Sequence, residues 1–309
     1  MTTIGIMVEG QEDMTWSRFL KLAEAVEALG FESLFRSDHL RSLEREPLYA
    51  TLALWPSLTA LALQTKRIRF GPLVCPITFR HPSMLAKMAA SVAELSNGRL
   101  DLGLGAGWHD NEHQMFGIPY PRYGIRLQML DEAAEIIKGL WSGQPFTFSG
   151  KHYQLQAAQN HPAPTQPIPI IMGGKGSQTL QIVAKHANEW NFTYAGVDAF
   201  SQKSAELDAC CKAIGRDPGT LRRSLMIPFV IGRDETAVQA RIHACCQMFP
   251  TLPTTLADWH EAGFIGGTPS EVQEQLQAFV AAGVQRFMLQ HNDLDDLDSL
   301  ELMAKVDIS

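Results

Sequence analysis

Five short segments hold side chains or bare backbone able to do chemistry, and each follows an apolar run. Glu9 and Glu12, two carboxylates, come after Ile4 to Val8. Ser37-Asp38-His39 follows Glu32 to Arg36. An imidazole beside a carboxylate can move a proton or shape a cofactor pocket, while a satisfied structural histidine is the plainer alternative. Val74-Cys75-Pro76-Ile77 suits a platform under a flat ring, or simply core. In Gly103-Leu104-Gly105-Ala106-Gly107-Trp108, small residues let the backbone approach a ligand and Trp108 closes a wall. Met172-Gly173-Gly174-Lys175-Gly176-Ser177 joins a glycine turn, a cation, a hydroxyl and a helix amino terminus. That is an anion site, most naturally for phosphate, or an ordinary turn.

Two other chemistries fit less well. The glycines around Gly105 lack the dinucleotide fingerprint, because position 106 is alanine and the segment does not open the chain's first βαβ unit. His109 and His113, at i,i+4 spacing with Asp110 and Glu112 between them, are donors a divalent metal would accept. Their order is not that of a zinc protease, and a polar first helical turn explains them, so no metal is expected.

Apolar β-rich runs alternate with segments of helical period along the whole chain. Strands are expected at Ile4 to Val8, Glu32 to Arg36, Ile68 to Val74, Leu100 to Leu104, Ile168 to Met172, Glu189 to Thr193, Ser224 to Ile231 and Arg286 to Gln290. Helices are expected between them, including Thr15 to Leu29, Leu48 to Gln64, Pro82 to Leu95, a long helix through Leu127 and Trp141, and Glu235 to Met248. Two insertions interrupt the rhythm, a hairpin over Gly143 to Pro167 and an irregular stretch over Phe249 to Gly267. Eight β/α alternations predict an α/β fold, a (β/α)8 TIM barrel with insertions, forming one domain over residues 1–309; an open doubly wound sheet usually stops earlier. In a barrel, chemistry sits at the carboxyl ends of the strands, where these segments lie.

Composition narrows the partners. The 309 residues carry 26 Lys+Arg against 33 Asp+Glu, and no basic stripe forms, so nucleic acid is not expected. No basic, apolar leader opens the chain and no run reaches the roughly 20 apolar residues that span a bilayer, so neither secretion nor a membrane is expected. Cys75, Cys210, Cys211, Cys245 and Cys246 are odd in number and lack Cys-x-x-Cys spacing. They read as helix-packing thiols in a reducing cytoplasm.

Together, Phe31 to Leu40, Arg67 to Trp141 and Gly150 to Asn191 resemble the luciferase-like flavin and deazaflavin oxidoreductases. Ser37-Asp38-His39 with Gly103 to His113 is most similar to the branch that depends on the deazaflavin coenzyme F420. The resemblance implies a hydride-transferring oxidoreductase with a small-molecule substrate, with FMN as the alternative cofactor of a monooxygenase using oxygen. It implies that Asp38 and His39 lie beside the reactive ring edge, with His39, held by Asp38, handling the proton and Glu12 facing the reaction centre. It places Val74 after an often cis peptide behind the ring, sets Gly105, Ala106, Gly107 and Trp108 along it, and gives the phosphate to Gly173, Gly174, Lys175, Gly176 and Ser177. It further implies a homodimer. Many relatives have glutamate where this chain has Trp108, which argues against a sugar-phosphate dehydrogenase, and the usual Asp-Gly pair before Trp190 is Asn188-Glu189. Competing readings are a barrel that binds a flavin or deazaflavin without turnover and a metal-dependent hydrolase. On either reading of the chemistry, the insertions are expected to cover the pocket.

Overall fold

The computed structural model describes residues 2–44 and 49–308. All eight expected strands form, as Thr3–Val8, Ser33–Arg36, Arg69–Pro72, Leu102–Gly105, Ile170–Gly173, Glu189–Thr193, Arg222–Ile231 and Arg286–Gln290. Neighbours run parallel in the order third, second, first, eighth, seventh, sixth, fifth, fourth. A parallel bridge from Phe70 to Leu100 and a short strand, Cys75–Pro76, paired with Leu104 and Gly105, join the third strand to the fourth and complete the ring. Parallel neighbours require crossovers, and the helical segments supply them outside the sheet. The first, Trp16–Ala28, buries Phe19, Leu22 and Val26, as its sequence period predicts, together with Ala23.

Period-two alternation sorts the barrel interior into layers. On the eighth strand Arg286 lies at the amino end, Met288 in the middle and Gln290 at the carboxyl end. The middle layer is an apolar plug of Met7, Phe35, Leu73, Ile171, Met226 and Met288. Below it Arg286, 2% exposed, pairs with Asp101 at 3.0 Å, Glu189 at 3.2 Å and Glu32 at 2.6 Å. Above it the strands open into a cavity.

One helix boundary and both insertions differ from expectation. The second helix spans Leu54–Gln64 and so starts six residues after Leu48, itself outside the described residues. Proline lacks an N–H and clashes with the carbonyl four residues back, so Pro56 fits only a helix's first turn. The first insertion does form a hairpin, Phe146–Ser149 against Gln154–Ala158. However, it links a helix to a strand and therefore lies on the amino-terminal face, where Glu132 accepts the N–H groups of Lys151 and His152. None of its residues lines the cavity, contrary to expectation.

The second insertion is larger and more regular than its sequence suggests. Helix Glu235–Met248 packs Val238, Ile242 and Cys245 into a small separate core with Val230 and Trp259. Helix Leu256–Glu261 and strand Ile265–Gly267, parallel to the seventh strand, complete this cap. Helix Pro269–Ala281 then buries Val272, Leu276 and Phe279 in the main core, making it the true seventh outer helix.

Bare backbone at Gly103 is a packing requirement. A Cβ there would lie 2.2 Å from the Pro72 carbonyl oxygen and 3.0 Å from Val74 Cγ1. We expect Gly103→Ala to cost about 1–3 kcal/mol by overpacking, seen as a lower urea midpoint; an unchanged midpoint would refute this.

Candidate active site

The cavity has a volume of about 610 Å³ and gathers residues from the carboxyl ends of seven strands. Met7, Glu9, Ser37, His39, Leu73, Trp108, Tyr194, Met226, Gln290 and Asn292 line it from the barrel, and Phe249, Leu252, Pro253 and Phe264 from the cap.

His39 sits in a loop that a buried cation positions. Arg36, 1% exposed, donates to Ser57 Oγ at 2.7 Å, the Leu52 carbonyl at 2.6 Å and the Gly10 carbonyl at 3.1 Å, tying the turns after the first and second strands together. Burial pushes its pKa down to about 10. The His39 side chain is 10% exposed, and its Nδ1 lies 3.0 Å from Glu112 Oε1. Burial opposes the imidazolium, but the Glu112 hydrogen bond and the charges of Glu112, Glu9 and Asp38 outweigh it and raise the His39 pKa. The Trp108 ring, 68% exposed, stands edge-on to His39 at 5.8 Å.

Asp38 does not hold His39, as the adjacent numbering suggests. Its oxygens take both Arg80 Nη atoms, at 2.5 and 3.2 Å, because consecutive loop residues diverge and the guanidinium offers a bidentate fork. Glu12 is also turned from the cavity: it accepts from Ser42 Oγ at 2.6 Å and the Leu43 N–H at 2.7 Å, pinning the loop that follows His39. The carboxylate that does line the cavity is Glu9, which receives Gln290 Nε2 at 2.5 Å and Gln11 Nε2 at 2.9 Å.

The Leu73–Val74 peptide is cis. Leu73 lines the cavity and Val74 packs against the apolar plug. A Cβ on Gly105 would come within 2.5 Å of Val74 Cγ2, so the missing side chain lets the two segments touch. Arg126 anchors the next turn, donating to the Ala106 carbonyl at 3.1 Å and the Gly107 carbonyl at 3.4 Å while its guanidinium lies 3.9 Å from the Tyr120 ring centroid. The Gly173, Gly174, Lys175, Gly176 and Ser177 segment lies outside the cavity lining and leads into Ser177–His186, a helix with no side-chain cap on its first amides.

The histidines near residue 110 are engaged locally. His109 caps helix Asp110–Met115 by accepting the Glu112 N–H, and His113 bonds Thr78 Oγ1 and the His109 carbonyl, each at 2.7 Å. Among the described residues no group of three His, Cys, Asp or Glu is placed to hold a metal. All five cysteines are free, and Cys75 is a strand residue rather than a helix-packing one. Burial, reinforced by Asp38, pushes its thiol pKa well up.

Tyr194, Gln290 and Asn292 went unselected in the sequence, and Glu9 was noted at its strand end without a role. Period two gives the signal for two of them: Met7 and Met288 point inward, so Glu9 and Gln290 do as well, one layer higher. The cap residues carried no such signal. No helix among the described residues is long and apolar enough to cross a membrane.

Comparison with known proteins agrees with the fold. The family profile described as luciferase-like monooxygenase matches residues 1–286. An F420-dependent hydroxymycolic acid dehydrogenase of Mycobacterium tuberculosis is 30% identical over 238 residues, which span 77% of this chain and 65% of the relative. Among solved structures, an F420-dependent secondary alcohol dehydrogenase bound to an F420-acetone adduct superimposes with a TM-score of 0.84 at 20% identity, covering 100% of this chain and 99% of that one. The FMN-bound oxygenating constituent of 3,6-diketocamphane monooxygenase from Pseudomonas putida does so with 0.79 at 18% identity, covering 99% and 98%.

Proposed function

The chain belongs to the luciferase-like monooxygenase family, and from that membership we propose that it is a coenzyme F420-dependent oxidoreductase transferring a hydride between the deazaflavin and a small organic substrate. The observation that carries this reading is His39, an imidazole on the cavity wall with one nitrogen secured by a buried carboxylate. The named F420-dependent relative supports the choice of cofactor.

The residues present fit a flat ring system. Val74 behind Gly105, the turn of Ala106 and Gly107, and the Trp108 ring would hold it, while Gly173 to Ser177 would take its phosphate through the uncapped helix amides. When bound, the deazaflavin supplies the two-electron hydride chemistry that protein side chains lack. His39 takes the proton from a substrate hydroxyl as it is oxidised, or returns it to a carbonyl as it is reduced. Arg80 holds Asp38, and Glu12 holds the Ser42 hydroxyl and the Leu43 N–H, so both carboxylates serve by fixing the loop around His39. Phe249, Leu252 and Phe264 cover the cavity and exclude water.

A second reading, an FMN-dependent monooxygenase, draws on the FMN-bound structural neighbour. Titrating the purified protein with each cofactor while following its fluorescence separates the two. Binding of F420 at least about tenfold tighter than FMN is expected. Preference for FMN with oxygen uptake by its reduced form would overturn the proposal. We also take residues 1–309 as one catalytic unit working in the cytoplasm as a homodimer. The exposed Leu63, Met84 and Leu95 on the second and third outer helices support pairing, and light scattering on the titrated sample checks it.

A further inference from the structure

Glu112 both hydrogen-bonds His39 and is hidden from water. We propose that Glu112 is a positioning residue that sets the tautomer of His39, keeping a proton on Nδ1 and presenting Nε2 to the substrate as a bare acceptor. The inference rests on the reading of His39 as the proton-handling group.

Glu112 is 1% exposed and uses both oxygens: Oε1 faces His39 Nδ1 at 3.0 Å, and Oε2 accepts the Leu40 N–H. A backbone N–H only donates, so Leu40 commits one oxygen as an acceptor. Burial opposes ionisation of Glu112, but the hydrogen bond and charge of His39 and the Leu40 N–H prevail and hold its pKa below the usual carboxylate value. A carboxylate only accepts, so the neutral imidazole facing it carries its single proton on Nδ1, and Nε2 is bare. Position 112 is itself secured, because its N–H is the one capped by His109 Nδ1 at 3.3 Å.

Glutamine cannot replace this arrangement, although it has nearly the same shape. It has one acceptor and one donor, and Leu40 claims the acceptor. The amide NH2 of Glu112→Gln then faces Nδ1, which must accept, and the proton moves to Nε2. The atom offered to the substrate changes from base to donor. This logic matches the orienting carboxylate of a hydrolase triad, where the wrong tautomer is far more damaging than a lost contact.

Two measurements test the proposal. Long-range ¹H–¹⁵N correlation of the cofactor-free protein should show His39 in the Nδ1–H form above its pKa in the native chain, and in the Nε2–H form in Glu112→Gln. Steady-state kinetics should show kcat lower by on the order of 10³-fold in the variant, with F420 affinity within about threefold of native. The rising limb of the pH profile should move to lower pH, since Glu112, Glu9 and Asp38 favour the imidazolium, His109 and burial oppose it, and the variant loses the strongest of the favourable groups. The same tautomer in both proteins, or an unshifted pH limb, overturns the proposal. If the variant does not fold, an Nε2–H tautomer in the native chain overturns it alone. Failure of the native protein to bind F420 instead strikes the functional reading, since the tautomer is read without cofactor.

Discussion

Replacing His39 by alanine is expected to lower turnover by about 10²- to 10⁴-fold while F420 affinity stays within a few-fold of native. The imidazole lies on the cavity wall, whereas the proposed ring platform is Val74 with Gly105 to Trp108, so on this proposal proton handling and binding are separable. The profile of kcat/KM against pH should rise through the raised His39 pKa in the oxidative direction, where the neutral base is required. Stability should respond in the opposite sense. A histidine whose folded pKa lies above its unfolded value near 6.5 stabilises the native state fully below that pH, and this contribution fades as pH rises through the folded value. His39→Ala should therefore lose more stability at pH 6 than at pH 9 in urea titrations. Full activity in the variant would show that His39 is not the proton-handling group and that another residue carries the chemistry.

Arg286→Met is expected to destabilise the fold by about 3–5 kcal/mol, the cost of breaking a buried ion pair by removing one partner. Arg286 faces three acids at the amino end of the barrel, with Asp101 1% and Glu189 3% exposed. Two cations would remain, Arg69 beside Asp101 and Arg222 at 3.8 Å from Glu189. Burial already raises the Glu189 pKa despite Arg286, and losing the guanidinium should raise it further. A carboxyl that binds its proton more tightly when folded gains stability as pH falls, so the variant's deficit should shrink between pH 8 and pH 5. A deficit under about 1 kcal/mol, or one that widens on acidification, would show that the cluster's other cations suffice. Cofactor affinity in the surviving folded fraction should be unchanged, because the apolar plug separates this cluster from the cavity.

Much of the architecture was legible because periodicity is a local property. The short apolar runs in Ile4 to Val8 and Arg286 to Gln290, and the three-and-four spacing of Phe19, Leu22 and Val26, are each written within one element. Boundary errors came where a local rule was overlooked, as with Pro56, or where a tertiary choice intervened. Helices Glu235–Met248 and Pro269–Ala281 both carry apolar faces, and sequence period does not say which face meets the barrel and which meets its own cap.

At the site, the sequence by itself determined the residue types and their places at strand ends: an imidazole at 39, bare backbone at 103 and 105, and an indole at 108. Tertiary structure alone decided the pairings. Asp38 adjoins His39 in the chain yet bonds Arg80, while Glu112, 73 residues away, takes the imidazole. Of two carboxylates three residues apart, Glu9 lines the cavity and Glu12 clamps a loop. The physical reason is that a hydrogen bond depends on where side chains converge in space. Barrel closure gathers the loops after distant strands so that their side chains meet at hydrogen-bond distance, about 3 Å, a convergence that no spacing along the chain records.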